Sequence, residues 1–496
     1  MTVPVQSQKI AVHNPTTGEL IKTVQTASDL DLERILAQSK IGHQKWATFS
    51  PRERAKSLKS VRKALVARSE EIIQSLIEET GKPRFDATLE TMTALEHLRF
   101  MAKKGPHALK PQRRSISFLK TKRASVHLYP YGVVGVISPW NYPAVLSTTP
   151  VAHALIAGNS VILKPSELTP LTDLLLREIF IEGGIPEDVF QVAVGDGKVG
   201  AYLVESTDTD MICFTGSVTV GKWIAKHCAG MLKPVILELG GKDPMIVLED
   251  ANLERAANAA VWGGNVHCGQ VCMSVERIYV VDTVADRFLE LLRKKLPKLR
   301  YNGDKDKSDI GPLIDIRQQR VVSHHLKEAV ERKAKITVGG KSHKEIGGYF
   351  FEPTLIEDVS HEMEVMRDET FGPVIAVMRV RDEEEAVRLA NDSPFGLSGS
   401  VFTRNKRRGR RIAGQLRSGS VCINDVQTNY VIPEIPFGGV GQSGMGRVHG
   451  LEGLRSFSYI QSVCEDRFGL KREMWWFPVS DKTKRLFRWL IKKRYG

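Results

Sequence analysis

Cys272 ends the stretch Asn265-Val-His-Cys-Gly-Gln-Val-Cys272, 34 residues after Glu238 in Leu237-Glu-Leu-Gly-Gly-Lys242. A cysteine attacks as its thiolate, and a carboxylate brought beside it can take a proton from water. Each has glycine nearby, which lets backbone approach closely. The pair suits covalent catalysis in which an enzyme-bound acyl group is released by hydrolysis. Cys268 and His267 precede Cys272, but no other Cys or His pair lies near them in sequence. No metal is expected, and Cys268 reads as packing.

Three further segments could hold a phosphate-bearing cofactor. Gly195-Asp-Gly-Lys-Val-Gly200 matches G-x-G-x-x-G between a strand and a helix, although no acidic residue is clearly placed for a ribose. Phe214-Thr-Gly-Ser-Val-Thr-Val-Gly221 also runs from an apolar strand into a helix start, where Gly216 and Ser217 could offer donors to a pyrophosphate. Lys164-Pro-Ser-Glu167 follows a strand, the end at which α/β folds bind ligands. Helix caps or surface turns would use the same residues.

The elements that must position these groups follow from patterning. The first hundred residues read as helical, with a capping box at Ser50-Pro-Arg-Glu53 and a stop at Gly81 and Pro83. From Gly132 the chain alternates: strand 132–137, helix 145–157, strand 160–164, helix 171–180, strand 189–194. That alternation predicts a doubly wound α/β sheet. It resumes after Cys272 with strands at 277–281 and 374–380, which predicts a second α/β domain.

The length of 496 residues suits two or three domains. Met1 to Pro15 holds no apolar run for a signal peptide, and no 18-residue apolar run could cross a membrane. Six scattered cysteines suit a reduced, cytoplasmic protein. The formal net charge of +14 is uneven. Residues 467–496 hold ten Lys/Arg against Glu473 and Asp481, 99–123 hold nine and no acid, and 404–411 hold six.

Taken in order, the chain resembles the aldehyde dehydrogenase superfamily. The matching segments are Pro139-Trp-Asn-Tyr-Pro143, Lys164-Pro-Ser-Glu167, Phe214-Thr-Gly-Ser217, Glu238-Leu-Gly-Gly241 and Gly269-Gln-Val-Cys272. Glu369-Thr-Phe-Gly-Pro373, Pro436-Phe-Gly-Gly439 and Ser443-Gly-Met-Gly446 follow, so the resemblance covers about residues 10–465. It implies Cys272 as nucleophile, Glu238 as general base, and Asn141 with the Cys272 N–H as oxyanion hole. It places Lys164 and Glu167 on the adenosine ribose, Gly216 and Ser217 on the pyrophosphate, and Glu369 and Phe371 on the nicotinamide ribose and ring. Ile137, Ser138, Pro139, Trp140, Ser166, Gly197, Phe214, Gly221, Leu239 and Gly240 complete the implied site. Glu167 would repel a 2′-phosphate and favours NAD, while Lys164 with Ser166 leaves NADP possible.

The implied organisation is a cofactor-binding domain at 1–111 and 131–240, oligomerisation strands at 112–130 and 455–466, a catalytic domain at 241–454, and a basic aromatic tail at 467–496. A homodimer or tetramer is implied. The segment Phe437–Gly446 followed by His449-Gly450 takes the form of the fatty and aromatic aldehyde branch. The thiol needs a polar, positive setting to ionise near neutrality. Tyr142, Val266, Val271 and Met273 would line an apolar substrate tunnel with no adjacent arginine for a semialdehyde carboxylate. Medium- to long-chain or aromatic aldehydes are therefore expected, with a semialdehyde or other polar aldehyde as the alternative. A coenzyme A-acylating relative would lack the base at Glu238, and a charge-driven lipid or nucleic-acid binder would not explain the ordered thiol, base and ribose contacts. No nucleic-acid partner is expected. In the tail, Leu486, Phe487, Trp489, Leu490 and Ile491 fall on one helical arc and Lys484, Arg485, Arg488 and Lys492 on the other, as in a helix lying on an anionic membrane. The alternative is a tail docked on the partner subunit, with Trp475 and Trp476 filling a groove. Lys493 and Arg494 interrupt the apolar arc, where the helix is expected to fray.

Overall fold

Two serines begin the helical layer. Ser28 and Ser50 each accept a bond from the N–H three residues on, while Asp31 and Glu53 reach back to the serine N–H groups. These capping boxes satisfy donors that a helix start leaves unpaired. They open the helices Asp29–Trp46 and Pro51–Ala67, which are followed by Ser69–Thr80 and Arg84–Ala108. Gly81 ends the third of these in the left-handed conformation (φ 68°). The N-terminal section departs from the all-helical expectation. It opens with an antiparallel hairpin, Lys9–His13 against Leu20–Gln25, whose exposed, irregular alternation is a weak signal in sequence. The computed structural model describes residues 6–301, 303–343 and 347–496.

Both predicted α/β sheets are present. The first has six strands in the order Gly444–Met445, Val235–Glu238, Met211–Thr215, Val133–Ile137, Ser160–Lys164, Phe190–Val192. All neighbours are parallel except Gly444–Met445. The central strands are buried on both faces, which is why they read as unbroken apolar runs. The second sheet has seven strands: Lys335–Val338, Thr354–Glu357, Val374–Val380, Val275–Val281, Asp243–Val247, Ser400–Phe402 and Cys422–Ile423. Alternate residues of its strands feed opposite cores. Ile246, Tyr279 and Ala376 go to one, and Val247, Val280 and Val377 to the other.

Both sheets belong to one compact unit, residues 1–109 with 129–459. Residues 110–128 and 460–496 form a second unit. It contains most of a three-stranded sheet ordered Ser458–Asp466, Lys122–Pro130, Gln112–Arg114, and the helix Asp481–Tyr495. That helix runs through Lys493 and Arg494 without the expected fraying, because its basic residues stay in solvent and cost the helix nothing. No described helix is long and apolar enough to cross a membrane.

Candidate active site

Register in the first sheet gathers the predicted segments along one edge. Ile137 lies level with Lys164 on one side and Phe214 on the other, and Thr215 is level with Glu238. Four strands therefore release Ser138–Asn141, Ser166–Glu167, Gly216–Ser217 and Leu239–Gly240 at the same carboxyl edge. Ser138 N–H donates to the Lys164 carbonyl (3.1 Å) and Gly216 N–H to the Glu238 carbonyl (3.0 Å). A Cβ on Gly221 would push the Leu239 side chain aside. Ser217 caps the helix Val218–Gly230. Lys164 is buried, which lowers its pKa, and its Nζ lies 3.3 Å from Glu167. Gly197 is exposed in the first turn of a helix that Asp196 caps, with open space where a Cβ would stand. That glycine fits an ordinary helix start.

The loop that carries Cys272 leaves the helix Leu253–Asn265 through three successive left-handed residues, His267 (φ 50°), Cys268 (φ 57°) and Gly269 (φ 70°). A Cβ on Gly269 would strike the Gly372 carbonyl. Gln270 is fully buried and locks the loop. It donates to the carbonyls of His267 (3.1 Å) and Pro312 (3.3 Å) and accepts from Ile314 N–H (2.8 Å). Gly241 lets the segment after Glu238 press against the Cys272 carbonyl, where a Cβ would clash. Cys272 and Glu238 line one cavity together with Leu146, Thr149, Leu239, Tyr430 and Phe437. Cys268 is fully buried in the core.

Cys272 also opens into a cavity of about 80 Å³ with Asn141, Tyr142, Val266, Val271 and Met273 in its wall. Leu89, Val145, Leu146, Trp262, Tyr430 and Val431 supply most of the rest. Trp140 stands edge-on to Phe371, with ring centroids 5.5 Å apart. Glu369 accepts from Gly241 N–H (2.9 Å), and a Cβ on Gly240 would displace the same carboxylate.

Several positioning groups were not anticipated from sequence. Lys82, Asp86 and Glu90 are spaced i, i+4, i+8 where the helix Arg84–Ala108 begins. Buried Lys82 is ion-paired with Glu90 and donates to the Asn141 carbonyl (2.9 Å). Glu90 accepts from Ala144 and Val145 N–H, and Asp86 accepts from His267 N–H (3.2 Å). These three side chains, one before the helix and two in it, thus form a stripe that holds both the Asn141 loop and the Cys272 loop. Glu276, paired with Lys242, accepts from Thr370 and Phe371 N–H, and it holds Phe371 in a left-handed conformation (φ 51°). The available signal was four ionisable residues, Lys82, Asp86, Glu90 and Glu276, set among apolar positions.

Among the described residues, the charged neighbours that act on Cys272 are acidic. Burial raises its thiol far above the usual range, and Glu369, Asp243 and Glu238 push it the same way. Glu238 is also raised well above an ordinary carboxylate by burial, and neither of its oxygens has a partner. Burial favours the neutral form of both the thiol and the carboxyl. The unpartnered carboxyl lines the same cavity as Cys272, and the buried Ser138 hydroxyl is likewise unpartnered at the sheet edge. Free donors, a glycine-lined edge and a helix start fit a dinucleotide.

A two-sheet α/β protein with a buried thiol–carboxyl pair between a sheet edge and an apolar cavity is built for acyl chemistry. Residues 2–463 match the model of the aldehyde dehydrogenase family, and the chain belongs to that family. It is 39% identical over 490 residues to a 4,4'-diapolycopene aldehyde oxidase of Methylomonas sp, covering 98% of this chain and 91% of that protein. It is 35% identical to a putative succinate-semialdehyde dehydrogenase [NADP(+)] of Mycobacterium tuberculosis, over 92% of this chain and 90% of that one. Among solved structures, an NAD-dependent aldehyde dehydrogenase from Sinorhizobium meliloti superposes with TM-score 0.91 at 32% identity, covering 95% and 93% of the two chains. Betaine aldehyde dehydrogenase from Staphylococcus aureus, in complex with NAD+, gives 0.89 at 30% identity, covering 95% and 94%.

Proposed function

We propose that the protein oxidises apolar aldehydes, aliphatic of medium to long chain or aromatic, to carboxylic acids through a thioester on Cys272, with NAD+ as the first-choice cofactor and NADP+ as the alternative. The observation that carries the substrate class is the wall of the apolar cavity that Cys272 opens into. Its charged side chains are Asp86 and Glu90, and the nearest buried cation, Lys82, is committed to Glu90 and lies over the Tyr142 ring. An anionic semialdehyde would meet carboxyl groups and no free cation among the described lining residues, which disfavours the alternative.

In this reading the Cys272 sulfur attacks the aldehyde carbon. The oxyanion receives the Asn141 amide and the Cys272 N–H. NAD(P)+, when bound, supplies the hydride acceptor and the positive charge that the thiol otherwise lacks. Lys164, Ser166 and Glu167 would hold its adenosine side, and Gly216 and Ser217 its pyrophosphate. Glu369 and Phe371 would hold the nicotinamide side, with Ile137, Pro139, Trp140, Phe214, Gly221 and Leu239 as walls. Glu238 takes a proton from the water that cleaves the thioester, which returns the thiol and releases the acid. We assign cofactor binding to 1–111 with 131–240 and catalysis to 241–454. The exposed edge strand Ser458–Asp466 is proposed to pair with a second copy.

The test is kcat/KM across straight-chain aldehydes of increasing length and succinate semialdehyde, with each cofactor. A rise of at least about tenfold from short to long chain is expected, because each buried CH₂ contributes roughly 0.8 kcal/mol. A preference for the semialdehyde would overturn the substrate reading.

A further inference from the structure

The unit formed by residues 110–128 and 460–496 carries sixteen Lys/Arg and four Asp/Glu, a net +12 out of the chain's +14. All four acids are already engaged. Asp466 and Glu473 pair with Lys122, Glu465 lies 3.8 Å from Arg123, and Asp481 lies 2.9 Å from Lys484. The remaining cations of the unit have no carboxylate partner among the described residues.

The helix Asp481–Tyr495 is capped by Ser480 and has no buried residue. Thr483, Phe487 and Leu490 are half covered, while Leu486, Trp489 and Ile491 stay 39%, 52% and 60% exposed. Lys484, Arg485, Arg488 and Lys492 occupy the opposite arc. Just before it, Trp476 and Phe477 are 53% and 91% exposed.

We propose that this unit docks on an anionic lipid bilayer, with the helix lying in the headgroup plane. Basic side chains meet the lipid phosphates and carboxylates, and the exposed indole, phenyl and aliphatic groups leave water at the acyl boundary. The two features select this occupant together. Cations alone would suit nucleic acid, but Leu486 and Ile491 gain nothing from phosphate and cannot stack on a base. A second copy packing this helix against its own would set Arg485, Arg488 and Lys492 against the same cations, a like-charge contact.

The experiment is vesicle flotation of the full-length protein, with phosphatidylserine–phosphatidylcholine vesicles against phosphatidylcholine alone. Two triple variants accompany it, Arg485→Gln/Arg488→Gln/Lys492→Gln and Trp476→Ser/Trp489→Ser/Ile491→Ser. The helix takes no part in the active site, so oxidation of a water-soluble aldehyde should be unchanged in both, which confirms folding. Expected is binding to the phosphatidylserine vesicles that weakens about tenfold or more in each variant and with added salt. Equal binding to both vesicle types, or none, overturns the proposal. So does an apolar variant that binds as tightly as the parent, or that still binds single-stranded nucleic acid as the parent does while the parent ignores lipid. A change from oligomer to monomer in either variant with lipid binding intact would assign the helix to a partner subunit instead.

Discussion

The Asn141 side-chain amide donates to the Gln270 main-chain carbonyl at 3.0 Å, tying the proposed oxyanion donor to the loop that carries Cys272. One amide hydrogen is used in this bond and the other remains for the substrate oxygen. Replacing Asn141 by Ala is expected to lower kcat/KM by about 10²–10³. Burst kinetics should show the loss in acylation, since the bond forms as the aldehyde is attacked. An unchanged acylation rate would remove Asn141 from the oxyanion hole.

Glu238 has the opposite signature. Its Gln variant should still acylate with a burst of reduced cofactor, then turn over about 10²–10⁴ more slowly. Burial raises the carboxyl, so the active carboxylate forms only as pH rises. The hydrolytic rate should therefore climb with pH over a range well above the ordinary carboxylate pKa, and that limb should vanish in Glu238→Gln.

Lys82 and Glu90 are a buried pair, both fully enclosed. Lys82→Met strands a carboxylate among apolar neighbours and should cost about 3–5 kcal/mol in denaturant unfolding. Adding Glu90→Gln to that variant should recover part of the loss, because the stranded charge is gone. Loss without recovery would mean that the stripe acts only through packing.

Glu369 and Asp243 are both pushed up to about 8, and Asp86 to about 6, by burial. The native state then holds protons that the unfolded chain has released, so stability falls as pH rises through this window. The cofactor-free protein should unfold at lower denaturant at about pH 9 than at about pH 6. Glu369→Gln should flatten that difference. A midpoint that rises with pH would contradict the burial of these groups.

Val431 stands at the wall of the apolar cavity and is 36% exposed, so an arginine there could keep its charge solvated. Val431→Arg should shift the ratio of kcat/KM toward succinate semialdehyde by about tenfold, roughly 1.4 kcal/mol. Equal effects on neutral and anionic aldehydes would show that charge does not govern entry.

Much of this was legible along the chain. The strands around Val133–Ile137 and Ser160–Lys164 announce themselves because both faces are buried, and Ser50 and Glu53 cap a helix through neighbours three residues apart. The hairpin at Lys9–Gln25 was not legible, since its exposed strands carry little pattern. The roles of Lys82, Asp86 and Glu276 were not legible either, because their partners lie far along the chain.

By itself the sequence determined which groups are available: a thiol at 272, a carboxyl at 238, an amide at 141, glycines where backbones touch, and a tail rich in arginine and tryptophan. Only the tertiary structure decided their state. Strand register set Glu238 at the sheet edge, a shared cavity joined it to Cys272, and burial pushed both thiol and carboxyl toward their neutral forms. Residue identity is a local property, whereas desolvation and ion pairing depend on what the rest of the chain brings within a few ångströms.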